Sequence, residues 1–120
     1  MAINLIYRTD IEKVFDVQTI PFPFYQGDVN AHRIRIEVLE NGVGCDLDGY
    51  TAQLIVVDPE GQKHSFDCEL TGSVITALLP REVYHIPGRV SMVIKLVDDE
   101  SITTIWACTV MVEQIGGDEE

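Results

Sequence analysis

Between His32 and Leu39 apolar and polar side chains alternate, with Ile34, Ile36 and Val38 on one side and Arg33, Arg35 and Glu37 on the other. A period of two puts each set on its own face of a strand, so this stretch predicts a half-buried β-strand. Lys63 to Leu70 alternates in the same way, Phe66, Cys68 and Leu70 against Ser65, Asp67 and Glu69. Arg89 to Val97 predicts a longer strand with Val90, Met92, Ile94 and Leu96 inward. Thr51–Asp58, Ser73–Leu79 and Ile102–Val112 complete six strands, the last with Trp106, Cys108, Val110 and Val112 on one face. Turn chemistry separates them: Asn41-Gly42, the strongest short hairpin signal, then Pro59-Glu60-Gly61, Thr71-Gly72, Pro80, Pro87-Gly88 and the charged tip Asp98-Asp99-Glu100.

The first 26 residues are less regular. Ala2 to Arg8 predicts a short strand. Residues 10–18 place Ile11, Val14 and Phe15 at helical spacing, enough for a turn or two. In Ile20-Pro21-Phe22-Pro23-Phe24-Tyr25 two prolines remove backbone donors, so the stretch is an extended edge or an arm, closed by Gln26-Gly27-Asp28. Residues 81–86 have room for one 3₁₀ turn. Turns recurring every 8–12 residues, with no sustained 3.6 period, predict an all-β sandwich of about seven to eight mostly antiparallel strands. Residues 1–114 form a single domain in this reading, and residues 115–120 an acidic flexible tail.

Composition supports strands. Valine and isoleucine total 27 against 13 for alanine and leucine, and β-branched side chains fit a pleated surface. At 120 residues the chain can hold one real core. Twenty acids against eight bases give −12, which argues against phosphate backbones and anionic membrane surfaces as partners. Residues 1–35 are neutral, with Arg8, Lys13, Arg33 and Arg35 against Asp10, Glu12, Asp16 and Asp28, so residues 36–120 carry the whole excess. No apolar run is long enough to span a membrane, and the start, MAINLIYRTD, lacks the basic and apolar regions of a signal peptide; synthesis in a host cytoplasm is expected.

Chemistry is sparse. His32, His64 and His85 fall in three elements without metal-ligand spacing and are expected as ordinary surface or loop residues. Cys45, Cys68 and Cys108 are expected as buried reduced thiols. Asp46-Leu47-Asp48-Gly49 has Gly44 and Ile55 where a calcium loop needs acids. Gly42-Val43-Gly44 does not continue as a dinucleotide fingerprint, and no nucleophile elbow or phosphate loop is present. No enzymatic activity, metal or cofactor is expected. Trp106 is expected in the core. Phe22, Phe24 and Tyr25 admit two readings that stay open here: lids on the core, or an exposed arm that docks on another subunit.

The order of Gln26-Gly27-Asp28, Asn41-Gly42-Val43, Asp46-Leu47-Asp48-Gly49, Asp58-Pro59-Glu60-Gly61, Leu79-Pro80, Pro87-Gly88, Thr103-Thr104 and Val112-Glu113 resembles the N-terminal Ig-like domain of baseplate upper proteins from phages and prophages of Gram-positive bacteria. The likeness covers roughly residues 1–114. It implies an Ig-like sandwich and a virion structural role: a baseplate module that binds another tail protein, while later segments of such proteins form trimers and carry receptor-binding proteins. Those segments have no counterpart before Glu120, so the expectation is either a piece of a longer protein or a stand-alone relative. Partners implied are other virion or tail proteins, or further copies of the chain. The alternatives are a capsid-decoration or head-fibre base protein, and a small carbohydrate-binding sandwich using Tyr25, Tyr50 or Tyr84.

Overall fold

The computed structural model describes residues 3–114; the expected acidic tail at 115–120 lies outside the described residues. Seven strands have five or more residues: β1 (Ile3–Asp10), β4 (His32–Glu40), β6 (Thr51–Val57), β7 (Lys63–Asp67), β9 (Val74–Leu78), β10 (Gly88–Val97) and β11 (Ile102–Glu113). Shorter pieces are β2 (Gln18–Thr19), β3 (Phe24–Tyr25), β5 (Val43–Gly44) and β8 (Glu69–Thr71), with one helical turn, α1 (Arg81–Tyr84). The first sheet runs β1-β4-β9-β8, with β5 added to β4. The second runs β2-β11-β10-β6-β7, with β3 also on β11. The faces meet as read from the alternation: Ile34, Ile36, Val38 and Ile75 of one sheet lie against Leu54, Val56, Met92, Ile94 and Trp106 of the other, each at most 1% exposed. Burying one such side chain contributes about 1.5–3 kcal/mol.

The expected single strand over Lys63–Leu70 is two strands. The chain bends at Cys68, whose N–H bonds the Ala52 carbonyl at 2.9 Å; β7 stays with β6 and β8 joins β9 in the other sheet. One strand that changes sheets makes the corner of a sandwich. The opposite corner is made by the N-terminal segment. β1 pairs parallel to β4, and β2 and β3 pair parallel to β11. Residues 11–17 cross between the sheets as turn and irregular chain, with no helix: Val14 is 97% exposed, so nothing rewards a helical apolar face there.

Two contacts fix that crossing. A bulge between Ile94 and Lys95 in the β10–β11 register leaves Ile105 with no residue opposite it. The Thr9 hydroxyl of β1 donates to the Ile105 carbonyl at 2.6 Å, in a buried bond between the sheets. Further along, Phe24 is fully buried and stacks on His32, with centroids 4.0 Å apart and planes 13° apart, while Tyr84 of α1 lies 5.4 Å from Phe24. The Tyr84 hydroxyl accepts the His32 backbone N–H at 3.1 Å and lies within hydrogen-bond distance, 3.0 Å, of His32 Nδ1. Burial holds the His32 imidazole below its ordinary value against the pull of Asp28, and pushes the Tyr84 phenol up to about 12.

Phe24 therefore does not belong to an exposed arm: its ring fills the space between the sheets and the α1 turn. His32 is likewise no surface histidine. Cys108 is buried as expected, but Cys45 and Cys68 are only partly so, and all three are free thiols. Gly88, at φ +130°, closes the far end; a Cβ there would lie 2.8 Å from Pro59 Cβ, so only glycine lets the α1–β10 turn reach the β6–β7 turn.

Phe24→Ala is expected to cost about 3–5 kcal/mol in chemical denaturation. Thr9→Val, which keeps the volume and strands the Ile105 carbonyl, should cost about 1–3 kcal/mol. For His32 the unfolded chain binds a proton that the folded chain refuses, so stability falls as pH drops through the ordinary value of 6.5 and levels off below the folded one. Melting temperature should fall as pH is lowered through the ordinary value of 6.5 in the wild type, and His32→Phe should flatten that slope.

Candidate interaction surface

With Phe24 in the core, the N-terminal segment presents Phe22 and Tyr25, 38% and 37% exposed. Pro21 and Pro23 are the reason. β2 follows β11 to Thr109, and the Ile20 N–H bonds the Thr109 carbonyl at 3.0 Å; β3 resumes at Val112. Between them residues without an N–H cannot continue the ladder, and the chain lifts off β11. A shallow groove of about 340 Å³ lies there, lined by Ile20, Phe22, Pro23, Arg89 and Met111 among others. Phe22 leans on both Phe24 and His32, with centroids 6.1 and 6.0 Å away, so it is an exposed ring on a rigid support.

The three tyrosines named for sugar stacking do not form a platform. Tyr84 is fully buried, Tyr25 lies on β3, and Tyr50 borders a separate hollow of about 410 Å³ with Asp46, Asp48 and Leu70. The two carboxylates in that hollow come from one turn, and Asp46 Oδ1 accepts the Asp48 N–H at 3.0 Å, which is turn-forming work. Asp58 does the same for the β6–β7 turn, accepting the Glu60 and Gln62 N–H groups at 2.9 and 3.0 Å and the His64 Nε2 at 3.1 Å. Burial pushes the Asp58 carboxyl up, but these donors outweigh it and hold it below the ordinary value. His85 lies 6.1 Å from the His64 ring, a proximity that their sequence separation hid. No group of three or more metal-ligating side chains stands together among the described residues.

Charge is sorted by position rather than by chain order. The loops at one end, residues 10–13, 40–49 and 98–101, hold eight acids and a single base, Lys13. Asp10 binds that end together: its carboxylate accepts the N–H groups of Glu12, Asn41 and Gly42 at 3.0, 3.0 and 2.8 Å, and the Glu12 bond foremost lowers its pKa. Six of the eight bases stand instead on outward strand positions: Arg8, Arg33 and Arg35 on the first sheet, Lys63, Arg89 and Lys95 on the second.

No curated protein matches the chain. Among solved structures, the N-terminal domain of phage TP901-1 ORF48 is similar in fold, with a TM-score of 0.58 and 12% identity, over 91% of this chain and 99% of that one. A family model described as the BppU N-terminal domain matches residues 4–114, the two sheets and both corners just described. The chain thus belongs to the family of baseplate upper protein N-terminal domains, a baseplate-related structural domain of phages.

Proposed function

We propose that this domain is an assembly module of the phage baseplate: a non-catalytic building block of the virion that binds another tail protein. The observation that carries the reading is the family match over residues 4–114. The surface agrees with it. Polar clusters such as Asp10, Asp46 and Asp58 are engaged in holding turns, and the aromatic exposed beside a groove is rigidly backed. Such pre-ordered rings lose little entropy on contact and are enriched at binding surfaces. A capsid-decoration or head-fibre role has no observation favouring it, and the scattered tyrosines remove the one proposed for a sugar site.

The domain should co-assemble with baseplate proteins encoded beside it when they are co-expressed and purified under native conditions. Phe22→Ala combined with Tyr25→Ala should weaken that co-assembly about tenfold, equal to ~1.4 kcal/mol, and lower thermal stability less than Phe24→Ala does, because both rings are partly exposed and Phe24 is fully buried. A wild-type chain that binds none of those proteins would sink the reading.

A further inference from the structure

The two sheets have four outer edges, and three are blunted. β8 is three residues long. β7 begins at Lys63 and bends out of its sheet at Cys68. β2 and β3 are two residues each, separated by Pro21 and Pro23. Short strands, lysines, bends and prolines are the devices that stop a sheet from accepting further strands. β1 is neither short nor bent and has no proline or lysine; its two charges are engaged, Arg8 with Glu37 and Asp10 with the Glu12, Asn41 and Gly42 N–H groups. It runs eight residues in unbroken register with β4, from Ile3 opposite His32 to Asp10 opposite Leu39, and β4 is its only ladder partner among the described residues.

The register also says which groups are open. The Ile3 N–H bonds the Ala31 carbonyl at 2.9 Å, and the Ile11 N–H bonds the Leu39 carbonyl at 2.8 Å. Odd-numbered residues of β1 therefore bond toward β4, and Asn4, Ile6 and Arg8 turn both N–H and C=O to the free edge. Apolar surface flanks that edge: Ile3 is 57% and Ile6 72% exposed. Phe22 stands on the same side of the sandwich, packed on His32, the partner of Ile3.

Charge indicates the kind of strand that fits. The outward face at this edge carries Arg8, Arg33 and Arg35. Arg8 pairs with Glu37 at 3.1 Å, Arg33 donates to Asn4 Oδ1 at 3.4 Å and shares a hollow with Asp67 and Glu69, and Arg35 has no acidic partner among the described residues. A second copy laid along β1 would present the same arginine-bearing face and no unpaired carboxylate to meet Arg35. Carboxylates on the outward positions of an incoming strand would meet the arginines, and its alternate apolar residues would lie beside Leu5 and Tyr7. We propose that β1 accepts, by strand addition, an extended segment of another protein that alternates apolar and acidic residues. The proposal rests on the assembly reading above and names where and how a partner attaches.

The test uses the isotopically labelled chain and two capped peptides, Thr-Val-Glu-Val-Glu-Val-Thr and its counterpart with lysine in place of glutamate. The acidic peptide should slow exchange of the Asn4, Ile6 and Arg8 amides and bind about tenfold tighter than the basic one, with the gap narrowing at high salt. Ile6→Pro removes an N–H that the native ladder does not use, so it should abolish binding and leave the fold intact. Should that variant unfold, Arg35→Glu serves instead and should reverse the preference between peptides. Absence of protection at those amides overturns the proposal, as does equal binding of both peptides. Protection that grows with protein concentration alone also overturns it, since the occupant is then a second copy. An Ile6→Pro chain that still joins its baseplate neighbours refutes the edge and leaves the assembly reading standing; a wild type that joins none refutes that reading whatever the peptides do.

Discussion

The structure depends on how its first 25 residues are tied down. They leave one sheet as β1 and enter the other as β2 and β3, in parallel pairing on both sides. Parallel pairs of two residues add little stability alone. What holds the crossing is the stack of Phe24 on His32, capped by Tyr84, and the single buried bond from Thr9 to the Ile105 carbonyl. The first makes α1 part of the core and buries His32, which lowers its pKa. The second satisfies the carbonyl that the β11 bulge frees, so the bulge and the crossing depend on one another.

That arrangement also decides what the surface offers. Because Phe24 is committed inward, the prolines on either side of Phe22 lift only that ring clear of β11. Because β1 sits at a sheet edge in parallel register, three of its residues point their backbone groups outward. Core-building and presentation are thus done by neighbouring residues of one segment, which lets a small domain display an edge and a ring without a mobile arm.

The net charge of −12 has a spatial meaning of its own. Acids gather in the loops of one end, where three backbone N–H groups hold the Asp10 carboxylate ionised, and most bases stand on the sheet faces. The molecule is acidic in total, with Arg8, Arg33 and Arg35 grouped on the outer face of β1 and β4. Electrostatic attraction to a partner then depends on which side approaches.

The alternation of Ile34, Ile36 and Val38, of Val90 to Leu96, and of Trp106 to Val112 determined by itself the strands, their inward faces and the sandwich, because a period of two has only one way to bury an apolar set. The order of the turn motifs carried the resemblance to the family that the match over residues 4–114 shows, although each motif alone, like those at Asp46, Asp58 and Gly88, is ordinary turn chemistry. Three matters were decided only in three dimensions. Phe24 and Phe22 sit in the same Pro-rich run, and which ring is buried follows from the β11 register. Ile11 and Val14 have helical spacing but no surface to pack on. Lys63–Leu70 reads as one strand, and only the positions of β6 and β9 divide it between sheets. The open edge of β1 belongs to the same class: a strand's own residues do not record which neighbour it lacks, because that is a property of the whole sheet order.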